Sequence, residues 1–413
     1  MLSHLQPLRH LSVVLTAALL LALAACTPVH QGAPVDPAPG PGSGQLADYS
    51  FGHTAVVAEH FTDGPLNAVQ RLPFTLAADA TSFRVHLRNW NYLTDQPVPG
   101  TLELSGLWIG AQGAEKDVAA FADEPTRITR EATLSDGETF TTPWIADDDV
   151  ALTAGRPMLL SMGLRADHGI ALSATGGVSW IDTFGASELG GVPEAIGDLN
   201  VGTAFLDVWI EYTTAPTTPV LFTIGHSLNT PGNVHPDLQP HDGEVTSWPQ
   251  QWALSSGGAA ATLAVPGAWT TSFGPDSLKW RTYGDATPDY VTFWASSSDL
   301  DSGRPVADVQ LSMQVLVAHA RSLWPQARVI AFTEPPRGSD AKTDAARAEY
   351  NRWLRTKPLE LDAVVDADRI LVDPADPHSL RPGITADGSH LNPAGHRLVA
   401  GMLRATIAAL DPR

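Results

Sequence analysis

The sequence predicts two folded regions of different class: an all-β sandwich, followed by a three-layer α/β domain with a parallel sheet. Three observations carry this prediction. Alternating apolar and polar residues fill the chain from about residue 47 to 214, a short Thr- and Pro-rich segment interrupts it at 213–219, and strand-like segments then alternate with helical ones. The 413 residues suffice for two domains, since one domain usually holds about 100 to 200 residues.

The N-terminus has the layout of an export signal. Residues 1–10 carry Arg9 and polar residues, and residues 11–25 form an apolar run that is too short to span a membrane. The run ends Leu23-Ala24-Ala25-Cys26, which resembles the bacterial lipobox, whose cysteine is acylated and becomes the mature N-terminus. The sequence therefore predicts a signal peptide at 1–25 and lipid anchoring through Cys26 to the outer face of a bacterial cell membrane; the alternative is an incidental small residue.

A tether and an acidic surface are predicted next. Residues 26–46 are rich in Pro, Gly and Ser and cannot bury enough apolar area to fold. The chain has 25 Lys and Arg against 45 Asp and Glu, a formal charge of −20. Such a surface repels phosphate backbones and anionic headgroups, which excludes nucleic acid as a partner and leaves the lipid on Cys26 as the predicted membrane attachment.

The first folded region is predicted to be a β sandwich at 47–214. The alternation predicts strands with one buried face. The predicted strands are Ser82–Arg88, Thr101–Ile109, Pro157–Leu164 and Leu206–Tyr212. Two features leave alternatives open. Trp90, Trp108, Trp180 and Trp209 fit core packing or a carbohydrate platform, and the run Asp147–Asp149 fits a solvated turn better than a metal site, because consecutive carboxylates lack the spacing of a calcium loop.

The second region, 215–413, is predicted to alternate strands with helices, which favours a parallel sheet flanked by helices. The predicted strands are Val220–Ile224, Tyr290–Ala295, Arg328–Thr333 and Ala363–Asp366, and the predicted helices are Pro305–Trp324, Asp340–Thr356 and Pro393–Leu410. On the last helix, His396 and Arg397 are predicted to face solvent.

A nucleophile and its base are predicted at the two ends of this region. Ser227 directly follows the first strand, and the carboxyl ends of parallel strands are where such sheets place their ligands. A serine hydroxyl needs a base that a third group orients, and Asp387 and His390 stand together before the last helix. His226 adjoins Ser227 and is an alternative base, but neighbouring side chains at a sharp turn usually diverge, so a role in shaping the site is favoured.

These residues resemble the GDSL/SGNH family of esterases, lipases and acylhydrolases. Gly225-His226-Ser227-Leu228 is similar to the family's first block, and Asp387-Gly388-Ser389-His390 is similar to its last. Val265-Pro266-Gly267-Ala268 and Trp294-Ala295-Ser296-Ser297-Ser298-Asp299-Leu300 resemble the blocks between them, in the family's order. The resemblance covers about residues 218–413, implies an SGNH hydrolase-like fold with Ser227, Asp387 and His390 as the triad, and makes the β region similar to the sandwich of some bacterial members.

The resemblance also implies an oxyanion hole formed by the backbone N–H groups of Ser227 and Gly267 and by a side-chain donor from the third block. Two positions depart from the family pattern. His226 stands where the family has Asp, and Ser298 stands where the family has the Asn donor, so the Ser298 hydroxyl is the predicted substitute. Losing one such donor outright costs roughly 2.7–4 kcal/mol, which predicts a working but slow esterase.

The sequence thus predicts an enzyme: a serine esterase that needs no cofactor or metal. Its predicted substrates are short-chain acyl or acetyl esters, on small molecules or on glycans, and the segments 229–245 and 333–341 are predicted to determine which ester is bound. Two alternatives stay open. One is a catalytically silent glycan-binding lipoprotein of the cell envelope, which the two departures favour, and the other is acyl transfer to a sugar instead of water.

Overall fold

The computed structural model of the protein describes residues 44–51, 55–58, 65–115, 118–167, 172–183, 185–230, 243–283, 285–358, 360–385 and 387–410. The predicted signal peptide, Cys26 and most of the predicted tether lie outside these residues. The first strand begins at Gln45, two residues before the predicted start of the β region. Within the described ranges, no helix combines the length and the apolar character needed to cross a membrane.

The N-terminal region consists mostly of antiparallel strands, as predicted. In chain order they are β1 (Gln45–Ser50), β2 (Ala55–Ala58), β3 (Leu66–Phe74), β4 (Ser82–Arg88), β5 (Trp90–Asn91), β6 (Gln96–Pro97), β7 (Leu102–Ala111), β8 (Thr126–Thr129), β9 (Ala132–Leu134), β10 (Thr139–Thr141), β11 (Ile145–Ala146), β12 (Met158–Ala166), β13 (Leu172–Asp182), β14 (Asp198–Ala204) and β15 (Asp207–Thr214). One sheet has the order β1-β15-β4-β10, with β11 also paired to β4. The other has the order β14-β13-β3-β12-β7-β8, with β2 paired to β13 and β9 to β7. Apolar side chains of both sheets belong to one hydrophobic cluster, the packing expected of a sandwich.

The polar face of the first sheet is buried too, which differs from the predicted strands with one buried face. In β4, Val85 and Leu87 belong to the hydrophobic cluster, yet the alternate residue Arg88 is only 7% exposed. The α/β region covers this polar face: an Arg88 guanidinium N–H donates to Thr282 Oγ1 at 3.3 Å, and Ser50 Oγ accepts the Thr262 N–H at 3.1 Å. The alternation therefore identified the polar face of the strand correctly, but the α/β region of the same chain, rather than water, covers this face.

Charged side chains on this covered face are mostly paired. Arg88 donates to Asp207 at 2.8 Å, and a Glu211 oxygen lies 2.6 Å from Arg84 Nε and 3.0 Å from His86 Nε2. Burial raises the pKa of Glu211, but the contacts with His86 and Arg84 lower it by more, so the net shift is downward. These pairs compensate for the loss of solvation that burial imposes on charges.

Asp48 is the exception on the same face. It lies opposite Glu211 in the register of β1 and β15 and is 1% exposed, and neither of its oxygens accepts a hydrogen bond from a described residue. Burial, followed by the nearby Glu211 charge, raises the pKa of Asp48 well above its usual range, although Arg84 opposes the shift. Asp48 is therefore buried as a neutral acid over a range of pH in which an exposed aspartate ionises.

The four tryptophans for which the sequence allowed either core packing or a carbohydrate platform are core residues. Each is at most 8% exposed: Trp90, Trp108, Trp180 and Trp209. Trp209 stacks on His86, with ring centroids 4.7 Å apart and planes 4° from parallel. The run Asp147–Asp149 lies in an exposed turn after β11, and the described residues contain no group of three or more His, Cys, Asp or Glu side chains suited to a metal ion.

The C-terminal region is a parallel sheet with helices, as predicted. Its strands, in chain order, are β16 (Val220–Gly225), β17 (Ala259–Ala264), β18 (Tyr290–Trp294), β19 (Arg328–Phe332) and β20 (Ala363–Val365). Their order in the sheet is β17-β16-β18-β19-β20, and a separate ribbon pairs β21 (Val372–Asp373) with β22 (Asp376–Leu380). The helices are α1 (Trp248–Ser256), α2 (Ser297–Asp301), α3 (Val306–Leu323), α4 (Ala341–Leu354), α5 (Ala367–Leu371) and α6 (Pro393–Leu410).

Helices cover the two faces of this sheet in two groups. Successive strand residues point to opposite faces, and in β16 Leu221 belongs to the cluster that contains α1 and α6, whereas Phe222 belongs to the cluster that contains α3 and α4. One side-chain prediction is wrong here. His396 does not face solvent: it is 1% exposed and its Nδ1 accepts the Trp248 N–H at 3.2 Å, because α6 packs against α1.

Candidate active site

Ser227 stands at the carboxyl end of β16, where the chain turns sharply into a 3₁₀ turn. A Cβ atom at Gly225, the last strand residue, would lie 1.9 Å from the Trp294 carbonyl oxygen on β18, so only glycine fits there. Asn229 stabilises the turn, because its Nδ2 donates to Trp294 O at 2.8 Å and to His226 O at 3.1 Å. Ser227 is left half-buried at the rim of the sheet.

The three residues predicted to be catalytic lie together in the structure. His390 Nε2 is 3.0 Å from Ser227 Oγ, and His390 Nδ1 is 2.7 Å from Asp387 Oδ2. Asp387 also shapes its own loop, because its Oδ1 accepts the backbone N–H of Ser389 at 2.8 Å and that of His390 at 2.7 Å. The side chains of His390 and Asp387 are 27% and 35% exposed, so this cluster opens to solvent.

Hydrogen bonds keep Asp387 ionised. Partial burial raises the pKa of its carboxyl, but the His390 N–H, the His390 ring and the Ser389 N–H lower it by more, so the pKa lies well below the usual aspartate range. A carboxylate beside Nδ1 accepts the hydrogen of that nitrogen, which leaves the Nε2 lone pair of a neutral His390 facing Ser227. An imidazole in this tautomer can take the hydroxyl proton.

The predicted oxyanion residues lie on two neighbouring loops. Gly267 follows β17 with φ +78°, and no atom lies within 4 Å of where a Cβ would stand, so its surroundings are open. Ser298 lies in α2, half-buried. Among the described residues, no acceptor binds the backbone N–H groups of Ser227 and Gly267 and no partner binds the Ser298 hydroxyl. Their joint action on one oxyanion stays a prediction.

Two side chains tie these loops together. Asp299 is fully buried and accepts both the Thr270 N–H at 2.8 Å and the Thr270 hydroxyl at 3.0 Å, which joins the Gly267 loop to α2. Arg337 donates to Ser389 Oγ at 2.9 Å and lies 3.3 Å from Asp301, which joins the His390 loop to the end of α2. The elements that carry the predicted catalytic groups therefore form one connected rim.

Sequence reasoning placed Glu334 only within the segment 333–341 that is predicted to determine the substrate, whereas Glu334 is fully buried beside the turn that carries Ser227. Its position could have indicated a role at the site, because Glu334 follows the carboxyl end of β19, and Ser227 lies at the same rim of the sheet. Asn229 was assigned to a segment that is predicted to determine the substrate, but its side chain is buried and stabilises the turn through a hydrogen bond to the Trp294 carbonyl. Residues 231–242 of that segment lie outside the described residues.

A serine, a histidine and an aspartate in hydrogen-bond contact at the carboxyl rim of a parallel sheet form the arrangement that serine hydrolases use. Residues 225–398 match the GDSL-like Lipase/Acylhydrolase family. The chain therefore carries a GDSL-like lipase/acylhydrolase domain, and it is an ester-hydrolysing serine hydrolase. No curated relative matches the chain.

Two solved structures illustrate the similarity over a longer stretch. A family two carbohydrate esterase from Clostridium thermocellum, solved in complex with cellohexaose, is 13% identical, with a TM-score of 0.37; the match covers 88% of this chain and 98% of that one. A family two carbohydrate esterase from Cellvibrio japonicus is 11% identical with a TM-score of 0.36, over 88% of this chain and 95% of that one. Both likenesses are too distant to indicate a substrate.

Proposed function

We propose that this chain hydrolyses esters through Ser227, His390 and Asp387. The observation that supports it is the unbroken hydrogen-bond chain from Ser227 Oγ through His390 to Asp387, with distances of 3.0 and 2.7 Å. His390 takes the Ser227 proton while Oγ attacks the acyl carbonyl, and then gives that proton to the departing alcohol. Water, activated by the same imidazole, releases the acid from the acyl-enzyme. Asp387 orients the ring and stabilises its charged form.

The oxyanion of each tetrahedral intermediate is proposed to accept hydrogen bonds from the N–H groups of Ser227 and Gly267 and from the Ser298 hydroxyl. Unoccupied donors at the positions that the family resemblance assigns support this proposal. Donors held in place before the reaction stabilise the charge that forms in the transition state. A hydroxyl is shorter than the amide that the family carries there, so the third donor is the weakest of the set.

Ser298→Asn is therefore expected to raise kcat for p-nitrophenyl acetate, by up to about 10-fold, because a full donor is worth about 10²–10³ and the hydroxyl supplies only part of it. Steady-state kinetics on the purified protein measure the change. Ser322→Asn, an exposed serine on α3, is the matched control. An unchanged kcat in a folded Ser298→Asn protein would mean that this position does not limit the reaction.

The substrate class that we propose is short-chain acyl or acetyl esters, including acetyl esters of glycans. The exposed His390 and Asp387 side chains fit an ester that projects from a larger molecule. Trp269, two residues after Gly267, is 42% exposed, and an indole ring can stack on the apolar face of a sugar. Acyl transfer to a sugar would use the same acyl-enzyme, and product analysis in the presence of sugar acceptors separates the two reactions.

Labelling with a fluorophosphonate probe tests the proposal directly. This probe reacts covalently with activated serines, so the folded wild type is expected to be labelled and Ser227→Ala to lose the label completely. The heat-unfolded wild type is the control for non-specific reaction, and hydrolysis of p-nitrophenyl acetate is measured beside it. A well-folded wild type that neither labels nor hydrolyses would instead favour the silent glycan-binding lipoprotein.

We also propose that the chain is exported and anchored by lipid on Cys26, which lies outside the described residues. The support is the apolar run at 11–25 and its lipobox-like end. Mass spectrometry of the N-terminal peptide from the bacterial membrane fraction tests this. A mature N-terminus other than an acylated Cys26 would overturn it.

A further inference from the structure

Glu334 occupies an unusual place for a carboxylate. It lies just beyond β19, is 1% exposed, and its backbone is held on both sides by Asn351, whose Oδ1 accepts the Glu334 N–H and whose Nδ2 donates to the Glu334 carbonyl, each at 2.8 Å. Asn351 itself is fully buried on α4. Such a clamp leaves the Glu334 side chain little freedom, so its direction is fixed by the fold.

The Glu334 carboxylate binds the loop at Ser296 and Ser297 and lies close to His226, which precedes the predicted catalytic serine. Oε1 accepts the Ser296 N–H at 2.8 Å, and Oε2 accepts the Ser297 hydroxyl at 2.5 Å. Oε2 also lies 3.7 Å from His226 Nε2. Burial raises the pKa of Glu334, but the His226 ring, the Ser297 hydroxyl and the Ser296 N–H lower it by more, so the net shift favours the ionised form.

His226 links this carboxylate to the turn that carries Ser227. Its ring is fully buried, its Nδ1 lies 3.3 Å from the Leu228 nitrogen, and its Nε2 lies 3.3 Å from the Ser297 nitrogen. A neutral imidazole accepts a hydrogen bond at only one nitrogen. The Leu228 N–H points to Nδ1 and the Ser297 N–H points to Nε2, so His226 lies between the Ser227 turn and the Ser296–Ser298 turn whichever nitrogen accepts.

We propose that His226 and Glu334 form a buried positioning pair for the reaction, and this rests on the proposed function of Ser227. One carboxylate fixes the Ser227 turn through His226 and the Ser296–Ser298 turn through two direct hydrogen bonds. The nucleophile and the predicted third oxyanion donor are thereby held at a fixed separation. Neither His226 nor Glu334 touches the substrate; both act through the loops that they hold.

The pair also gives a physical reason for the departure at position 226. An aspartate there would bring a second buried carboxylate against Glu334, and two such charges repel strongly away from water. A histidine instead places a ring without negative charge 3.7 Å from the Glu334 carboxylate, and its Nδ1 lies 3.3 Å from the Leu228 nitrogen. His226 and Glu334 are therefore expected to depend on each other, which a double-mutant cycle measures.

Glu334→Gln is the first variant of the test, since it removes the charge and keeps the shape. In the full chain purified in detergent, we expect kcat for p-nitrophenyl acetate to fall at least about 10-fold with KM unchanged within about twofold, and fluorophosphonate labelling to slow in parallel. The melting temperature and the titrated fraction of active sites are measured on the same samples. Glu349→Gln, an exposed glutamate on α4, is the matched control.

His226→Asp supplies the second half of the test. Alone it should lower kcat more than Glu334→Gln does, and combining the two changes should recover at least about 10-fold over His226→Asp, because the second change removes the repulsion. The inference is overturned if Glu334→Gln keeps the wild-type kcat, or if the folded double variant is no better than His226→Asp. A wild type that neither labels nor hydrolyses overturns the proposed function together with this inference, so the two failures are distinct.

Discussion

Asp387→Asn is expected to lower kcat by about 10⁴-fold while the fold stays intact. An asparagine Oδ1 can still accept the Ser389 and His390 N–H groups, so the loop keeps its shape. Its amide then faces His390 Nδ1, where the carboxylate now lies at 2.7 Å. An amide donor there forces the imidazole hydrogen onto Nε2, and a ring held in that tautomer cannot take the Ser227 proton.

Steady-state kinetics with p-nitrophenyl acetate measure this loss, and circular dichroism confirms that the variant is folded. Asp308→Asn, an exposed aspartate on α3, should leave kcat unchanged. If Asp387→Asn stays within about 10-fold of the wild type, another group must orient His390 and the assigned acid is wrong. KM is expected to change little, because Asp387 acts on the imidazole and not on the bound ester.

Asp48→Asn is expected to stabilise the protein at neutral pH. Burial and the Glu211 charge raise the pKa of Asp48 in the folded state well above its usual range. Below about pH 4 both the folded and the unfolded chain hold the proton, and above it the unfolded chain ionises while the folded chain does not. Stability that is fully present at low pH is therefore lost as pH rises toward the folded-state pKa, and asparagine removes that loss.

The gain from Asp48→Asn should be near zero at pH 4 and should grow by up to about 1.4 kcal/mol for each pH unit above it, until the folded-state pKa is reached. Thermal unfolding of variant and wild type from pH 4 to 8 measures the difference. Asp148→Asn, an exposed aspartate in the turn after β11, should show no such trend. A gain that does not depend on pH would mean that Asp48 is not buried as a neutral acid.

The sequence was sufficient to predict the fold class because its periodicities are strong. Segments such as Ser82–Arg88 alternate with period two, and the long helices α3 and α6 repeat apolar residues at helical spacing, with bounds within a residue or two of those predicted. Ser227 and His390 were predicted from motifs that stand 163 positions apart, and the structure brings them to 3.0 Å. The order of the motif blocks along the chain predicted this contact between distant residues, which the periodicity of single segments could not predict.

Contacts between distant polar residues could not be predicted in the same way. Glu334 belongs to no periodic pattern and to none of the four motif blocks, so nothing marked it as a buried partner of His226. The polar face of β4 looked like an ordinary solvent-facing side, because alternation identifies the polar residues of a strand but not what covers them. His396 was misplaced for a related reason, since one helix can bury a polar residue where a neighbouring helix, here α1, supplies its hydrogen bond.

The contact between Ser50 and Thr262 has a consequence for how copies of this protein meet. Strand β17 ends the parallel sheet, and a bare sheet edge is a template on which another chain can add a strand. At Thr262 that template is already occupied: Ser50 Oγ accepts its N–H at 3.1 Å, and the Tyr283 hydroxyl donates to its carbonyl at 2.6 Å. At this position the edge of β17 therefore offers neither its N–H nor its carbonyl to an added strand, and the β region supplies one of the two covering groups through Ser50.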